Sequence, residues 1–211
     1  MLRKFSNTRS VFFGRAGLIF FMAFLCSSYS GKQTVLIHSH NDYQKNIPFY
    51  RAYSQQVHTI EADIYAAPAS DGLLVAHDPH ELDSALSLDE MYLEPLIFLF
   101  GQNEGRPWRG SEQVLTLMID LKTPLHPTID RLIAKLKRHP EVFDPSVNPY
   151  AVRIVISGSR PDPEAFGEYP RFISFDGFID VDYTPQQLER VAFISEPFFR
   201  YSKWKGGADT L

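Results

Sequence analysis

Apolar residues fall in short runs separated by polar, Pro- and Gly-containing stretches. Six runs have the length and β-branched content of strands: 35–40, 59–65, 114–121, 153–158, 172–178 and 191–195. Val114-Leu115-Thr116-Leu117-Met118-Ile119 is the clearest, and Val35-Leu36-Ile37 reads as a buried run at the start of the first. Elsewhere the period becomes helical. Behind Pro127, the residues Ile129, Leu132, Ile133 and Leu136 recur at helix spacing, with Arg131, Lys135, Lys137 and Arg138 as the solvated face. Gln44 to Val57 predicts a helix with Phe49, Ala52 and Tyr53 inward and Pro48 in its first turn. Ser87 and Glu90 form a capping-box pattern before Leu88, Met91 and Tyr92, with Pro95 as the limit. Leu96 to Phe100 is a further helix segment or a packed loop, and Thr184-Pro185 opens a short helix.

No tight hairpin joins one of the six strands to the next, which favours a parallel α/β architecture. A shorter strand, Leu73 to Ala76, follows the Asp71-Gly72 turn and delivers His77. A closed eight-stranded barrel takes about 250 residues. The chain has 211, or 181 once residues 1–30 are set aside. The expected fold is therefore an incomplete (β/α)8 TIM-type barrel with about six parallel strands, strands seven and eight missing and the C-terminus truncated.

Residues 1–30 are set aside because Arg3, Lys4, Arg9 and Arg15 precede the apolar run Ala16 to Cys26, with no acidic residue before Asp42. Small residues, Ser28 and Ser30, follow. This pattern predicts a signal peptide and an exported, periplasmic or secreted protein, with an N-terminal membrane anchor as the alternative. Residues 31–211 would form the domain. Cys26 is the only cysteine, so the domain has neither disulfides nor thiolate metal ligands. Without the leader's four basic residues, 17 basic face 25 acidic residues, a net charge of -8. That balance argues against nucleic-acid binding. Peripheral membrane association is one expected interaction, and no protein partner is named.

Candidate chemistry sits where the strands end. Glu61 and Asp63 stand two apart in a β-branched run, so a strand places them on one face. Two unpaired carboxylates in an apolar setting are costly, and a divalent cation is one partner that would hold them. An exposed edge strand is the other reading. His38 and His40 share a face at the first strand, and Asp120 and Lys122 at the third, where their charges can neutralise each other.

Taken in order, these motifs resemble the phosphodiesterases with a phospholipase-C-like barrel. The likeness is to the glycerophosphodiester phosphodiesterases and a branch beginning His-Ser-His-Asn-Asp-Tyr, here His38 to Tyr43. Glu61-Ala62-Asp63 resembles the family's Glu-x-Asp, and Asp71-Gly72 followed by His77-Asp78 resembles its Asp-Gly to His-Asp segment. Asp120-Leu121-Lys122 resembles the third metal carboxylate and its lysine. Ser157-Gly158-Ser159-Arg160-Pro161 and Phe175-Asp176-Gly177 also match the branch. The resemblance implies a metal-dependent phosphodiester hydrolase acting on a glycerophosphodiester or phospholipid-like substrate. It makes Glu61, Asp63 and Asp120 ligands to Mg²⁺ or Ca²⁺, His40 and His77 the acid and base, and Lys122 with Asn41 the phosphate holders. His38 is the supporting or alternative catalytic histidine. A catalytically silent binding module or an inactive fragment of the same fold is the alternative function.

Overall fold

The computed structural model describes residues 35–204. The expected leader, residues 1–30, lies outside them. Contacts divide the chain into Met1–Val35 and Leu36–Leu211, and the second unit holds the described strands and helices. Its strands are β1 (His38–Ser39), β2 (Thr59–Ala66), β3 (Leu73–Val75), β4 (Thr116–Leu121), β5 (Arg153–Gly158), β6 (Ile173–Asp176) and β7 (Val191–Phe193). Its α-helices are α1 (Tyr50–Ser54), α2 (Glu94–Gln102), α3 (Leu125–Leu136), α4 (Pro140–Phe143) and α5 (Pro185–Leu188).

Six strands pair in parallel in the order β1-β2-β4-β5-β6-β7, and β3 folds back antiparallel on β2. The sheet curls into an open arc with helices around it, an incomplete TIM-type barrel. Alternation along each strand creates two unlike faces. Ile60, Ala62 and Ile64 of β2, Leu117, Ile119 and Leu121 of β4, Ile154 and Ile156 of β5, and Ile173 and Phe175 of β6 point one way. They pack with Leu96 and Phe100 of α2 and with Ile129, Leu132 and Leu136 of α3. Burial of this face drives folding, at about 1.5–3 kcal/mol for each large apolar side chain. The opposite face carries Glu61, Asp63, Asp120, Ser157 and Asp176.

The first strand is shorter than expected. Val35, Leu36 and Ile37 are 77%, 73% and 50% exposed rather than buried. Among the described residues β1 pairs only with β2, so its apolar lead-in has no second neighbour to cover it. His58 ties that lead-in down, its Nδ1 accepting the Ile37 N–H at 3.2 Å. The expected Gln44–Val57 helix shrinks to the five residues of α1, because Phe49 takes φ 60° and breaks the helical path just after Pro48. A 3-10 turn at Asp42–Gln44 precedes it.

Pro95 does not end its helix. A π-turn at Asp89–Leu93 leads into α2, and Pro95 lies in the first turn of α2, where its missing N–H costs little. The capping box forms as the sequence suggests. Ser87 N–H donates to Glu90 Oε2 at 3.0 Å, and Glu90 N–H donates to Ser87 Oγ at 3.2 Å. In α3 the His126 backbone is extended, so regular helix begins at Pro127. The cap at Thr184 receives the Gln187 N–H.

Candidate functional site

Register sets the inner row. Asp63 stands opposite Asp120, and Asp120 opposite Ser157, on three neighbouring parallel strands. Glu61 is 6%, Asp63 1%, Ser157 2% and Asp176 3% exposed. Such burial requires partners. Lys122 supplies one, its Nζ 2.8 Å from Asp63 Oδ2 and 3.1 Å from Asp120 Oδ1. The two charges of the Asp120-Lys122 motif thus do pair, and Asp63 joins them. Burial works against the Lys122 charge, but the bond to Asp63 and the charge of Asp120 outweigh it and hold the ammonium above its ordinary value. Ser157 Oγ donates to Asp120 Oδ2 at 3.1 Å.

Asp63 Oδ2 also receives the Tyr43 hydroxyl at 2.9 Å and lies 3.2 Å from His77 Nδ1. Tyr43 Oη is 3.1 Å from that same nitrogen. Burial first, then the hydrogen bond to Asp63, push the Tyr43 hydroxyl well above its ordinary value. The His77 backbone is clamped: its N–H donates to Glu81 Oε2 at 2.8 Å, and its carbonyl accepts the Tyr65 hydroxyl at 3.0 Å.

The two histidines of the first motif differ. His38 Nε2 lies 2.6 Å from Glu61 Oε2. His40 Nε2 is 3.9 Å from Glu61 Oε1, and its side chain is 74% exposed. His38 is therefore tethered, while His40 is free to meet a ligand. The motif is folded around buried Asp42, which accepts from Ser39 Oγ at 2.7 Å, the Phe49 N–H at 2.6 Å and the Tyr92 hydroxyl at 3.1 Å. Asn41 occupies the left-handed corner at φ 46°, a conformation Asn tolerates.

A cavity of about 610 Å³ opens beside this network, walled by His40, Glu61, Asp120, Ser157, Arg160 and Asp176 among others. Asn41 does not line it. Gly158 turns the chain here at φ 68°; a Cβ would lie 2.6 Å from both Asp120 Oδ1 and the Leu121 carbonyl oxygen. On the far wall the Arg160 guanidinium lies 3.9 Å over the Phe178 ring, donates to the Gly177 carbonyl at 3.2 Å and stands 4.0 Å from Asp176 Oδ2. Burial raises the Asp176 carboxyl to about 6, against the opposing pull of the Ser195 N–H and Arg160. Tyr43, Ser157, Arg160 and Asp176 lie inside the motifs quoted from the sequence, but only their contacts give them a place in the site.

Glu61, Asp63 and Asp120 offer oxygen donors of the type that Mg²⁺ and Ca²⁺ take. Asp63 Oδ1 is a buried oxygen without a hydrogen-bond partner, the sort of atom a cation would satisfy. Among the described residues no group of three or more His, Cys, Asp or Glu side chains is gathered to hold a metal ion. Lys122 Nζ stands between Asp63 and Asp120.

Comparison with known proteins adds ancestry. Residues 29–143 match the family model described as the AIM6-like phosphodiesterase domain. Altered inheritance of mitochondria protein 6 of Eremothecium gossypii is 32% identical over 97 residues, covering 41% of this chain and 25% of that protein. The Kluyveromyces lactis protein of the same name is 34% identical over 70 residues, 33% of this chain and 17% of that protein. A homolog from Arthroderma benhamiae is 33% identical over 104 residues, 41% of this chain and 32% of that protein. The match thus spans a third or less of each of these relatives. No solved structure matches the chain. The relatives correct the expected localisation: their names concern inheritance of mitochondria, not export or secretion. The alternative, an anchor in residues 1–30, falls outside the described residues, and no helix among the described residues is long and apolar enough to cross a membrane.

Proposed function

Because the chain belongs to the AIM6-like phosphodiesterase family, we propose that its inner face hydrolyses a phosphodiester of a small molecule or lipid with the help of a divalent cation. The orphaned Asp63 Oδ1 carries the proposal. Charge supports it: Glu61, Asp63 and Asp120 are three carboxylates against the single ammonium of Lys122 on that wall. A phosphodiester is itself an anion and would be repelled by such a wall. Glu61, Asp63 and Asp120 would hold Mg²⁺ or Ca²⁺, which when bound supplies charge neutralisation and Lewis acidity at a phosphoryl oxygen.

The chain's own residues have separable tasks. Lys122 offers a point charge to phosphate while fixing the Asp63 and Asp120 carboxylates. His40, exposed at the cavity wall, and His77, anchored through Nδ1, divide proton acceptance and donation. His38 holds Glu61 in place. Asn41 shapes the turn that presents His40.

Calorimetric titration with Mg²⁺ and with Ca²⁺, paired with turnover of a glycerophosphodiester, tests this. Saturable cation binding is expected, together with turnover that EDTA abolishes and cation restores. Asp63→Asn and Glu61→Gln should each weaken binding and turnover by at least tenfold. A wild-type protein that binds neither cation and turns over no diester overturns the reading in favour of a silent module.

A further inference from the structure

We infer that Tyr43 is a positioning residue that, with Asp63, fixes the tautomer of His77 and leaves the proton-accepting lone pair on Nε2. The role of this lone pair in turnover rests on the proposed diester hydrolysis; the tautomer itself does not. The donors and acceptors around Nδ1 decide the tautomer. His77 Nδ1 faces two oxygens, Asp63 Oδ2 at 3.2 Å and Tyr43 Oη at 3.1 Å. A phenol has one proton, and Tyr43 gives it to Asp63 Oδ2 at 2.9 Å. Toward Nδ1 the tyrosine can therefore offer only a lone pair. The carboxylate also offers only lone pairs, and Lys122 Nζ at 2.8 Å binds that same oxygen. With two acceptors and no donor before it, Nδ1 must carry the proton of the neutral ring.

Tyr43 therefore does two things. It supplies the second acceptor that makes the Nε2–H form unfavourable. It also holds Asp63 Oδ2 at the place where His77 needs it. A flip of the ring would put Cδ2 where Nδ1 stands and lose both contacts, while Glu81 and Tyr65 hold the backbone from which the ring projects. His77 thus enters catalysis with a defined nitrogen, whereas His40 has only a 3.9 Å approach to Glu61. An arrangement of this kind, in which the outer nitrogen works and the inner one is held, orients a reactive histidine through its neighbours.

The test is long-range ¹H–¹⁵N correlation on the full chain with ¹⁵N-labelled histidine at about pH 8.5, where an ordinary imidazole is neutral, recorded with EDTA and again with Mg²⁺. Loss of one signal in His77→Gln assigns the ring. In the wild type, His77 should show a protonated Nδ1 and an unprotonated Nε2. Tyr43→Phe keeps the ring and removes only the hydroxyl. It should raise the Nε2–H fraction and lower kcat on a glycerophosphodiester about tenfold with KM changed less than twofold. A wild-type His77 protonated mainly on Nε2 overturns the inference, as does a Tyr43→Phe protein with unchanged tautomer signals and unchanged kcat. If the wild type has no turnover, the diesterase reading falls and the nitrogen signals still decide the role of Tyr43.

Discussion

Replacing Asp176 with Asn should stabilise the protein at neutral pH relative to its stability in acid. The residue is 3% exposed, and burial moves its carboxyl from 3.8 to about 6. The folded pKa lies above the unfolded one, so the native chain keeps its proton longer. Below about pH 3.8 the group has no cost. The cost grows as pH rises from there through about 6, and above that it is complete. A change of that size corresponds to about 3 kcal/mol in all, of which roughly 2 kcal/mol develops between about pH 4.5 and about pH 7.5. Asn cannot ionise, yet its oxygen can still accept the Ser195 N–H that Asp176 Oδ1 takes at 2.7 Å. Urea unfolding of both proteins at those two pH values, in chelator, measures the effect. Titrating groups that do not interact with Asp176 are common to the pair and cancel. The stability difference should shift by about 2 kcal/mol in favour of the Asn variant on going to the higher pH. Parallel profiles would refute burial as the dominant influence on Asp176.

Gly158→Ala forces a side chain into φ 68° and sets its Cβ against Asp120 Oδ1 and the Leu121 carbonyl. The expected cost is about 2–4 kcal/mol, or roughly 5–15 °C in thermal midpoint, and a change under about 1 °C would contradict it. Lys122→Met leaves Asp63 and Asp120 without the ammonium they share. Chemical unfolding in chelator should show a loss of about 3 kcal/mol, partly restored by Mg²⁺, and an unaltered midpoint would mean that the carboxylates are compensated elsewhere.

The sheet was readable because its signal is local. Alternation of Ile60, Ala62 and Ile64 with Glu61 and Asp63 states which face is which before any partner strand is known. The same locality misleads at the start of the chain. Val35 to Ile37 has strand composition, but whether it is covered depends on neighbours that a run of residues does not encode. Phe49 illustrates the other limit. Its positive-φ backbone is held by the buried Asp42 carboxylate, which the sequence shows only as the fifth residue of a motif. The carboxylates and histidines were legible as residue types at strand ends. Tyr43, 20 residues from Asp63, and Arg160, 16 from Asp176, were not, since their roles follow from distances set by the register of β2, β5 and β6. The N-terminal composition suggested export, and the relatives' names overturn it.

The two-faced sheet has a consequence for how such a protein can change over time. Along each long strand, alternate residues pack into the core and the residues between them face the candidate site. A substitution at Met118 or Ser157 changes the wall of the cavity while leaving the Ile- and Leu-rich side intact. Such a change alters the cavity at a smaller cost to the packed face than a core substitution would carry. A large-to-small change at Ile119 or Ile156, both fully buried, costs stability without reaching the cavity wall. The arc separates the residues that hold the sheet together from those that line its cavity.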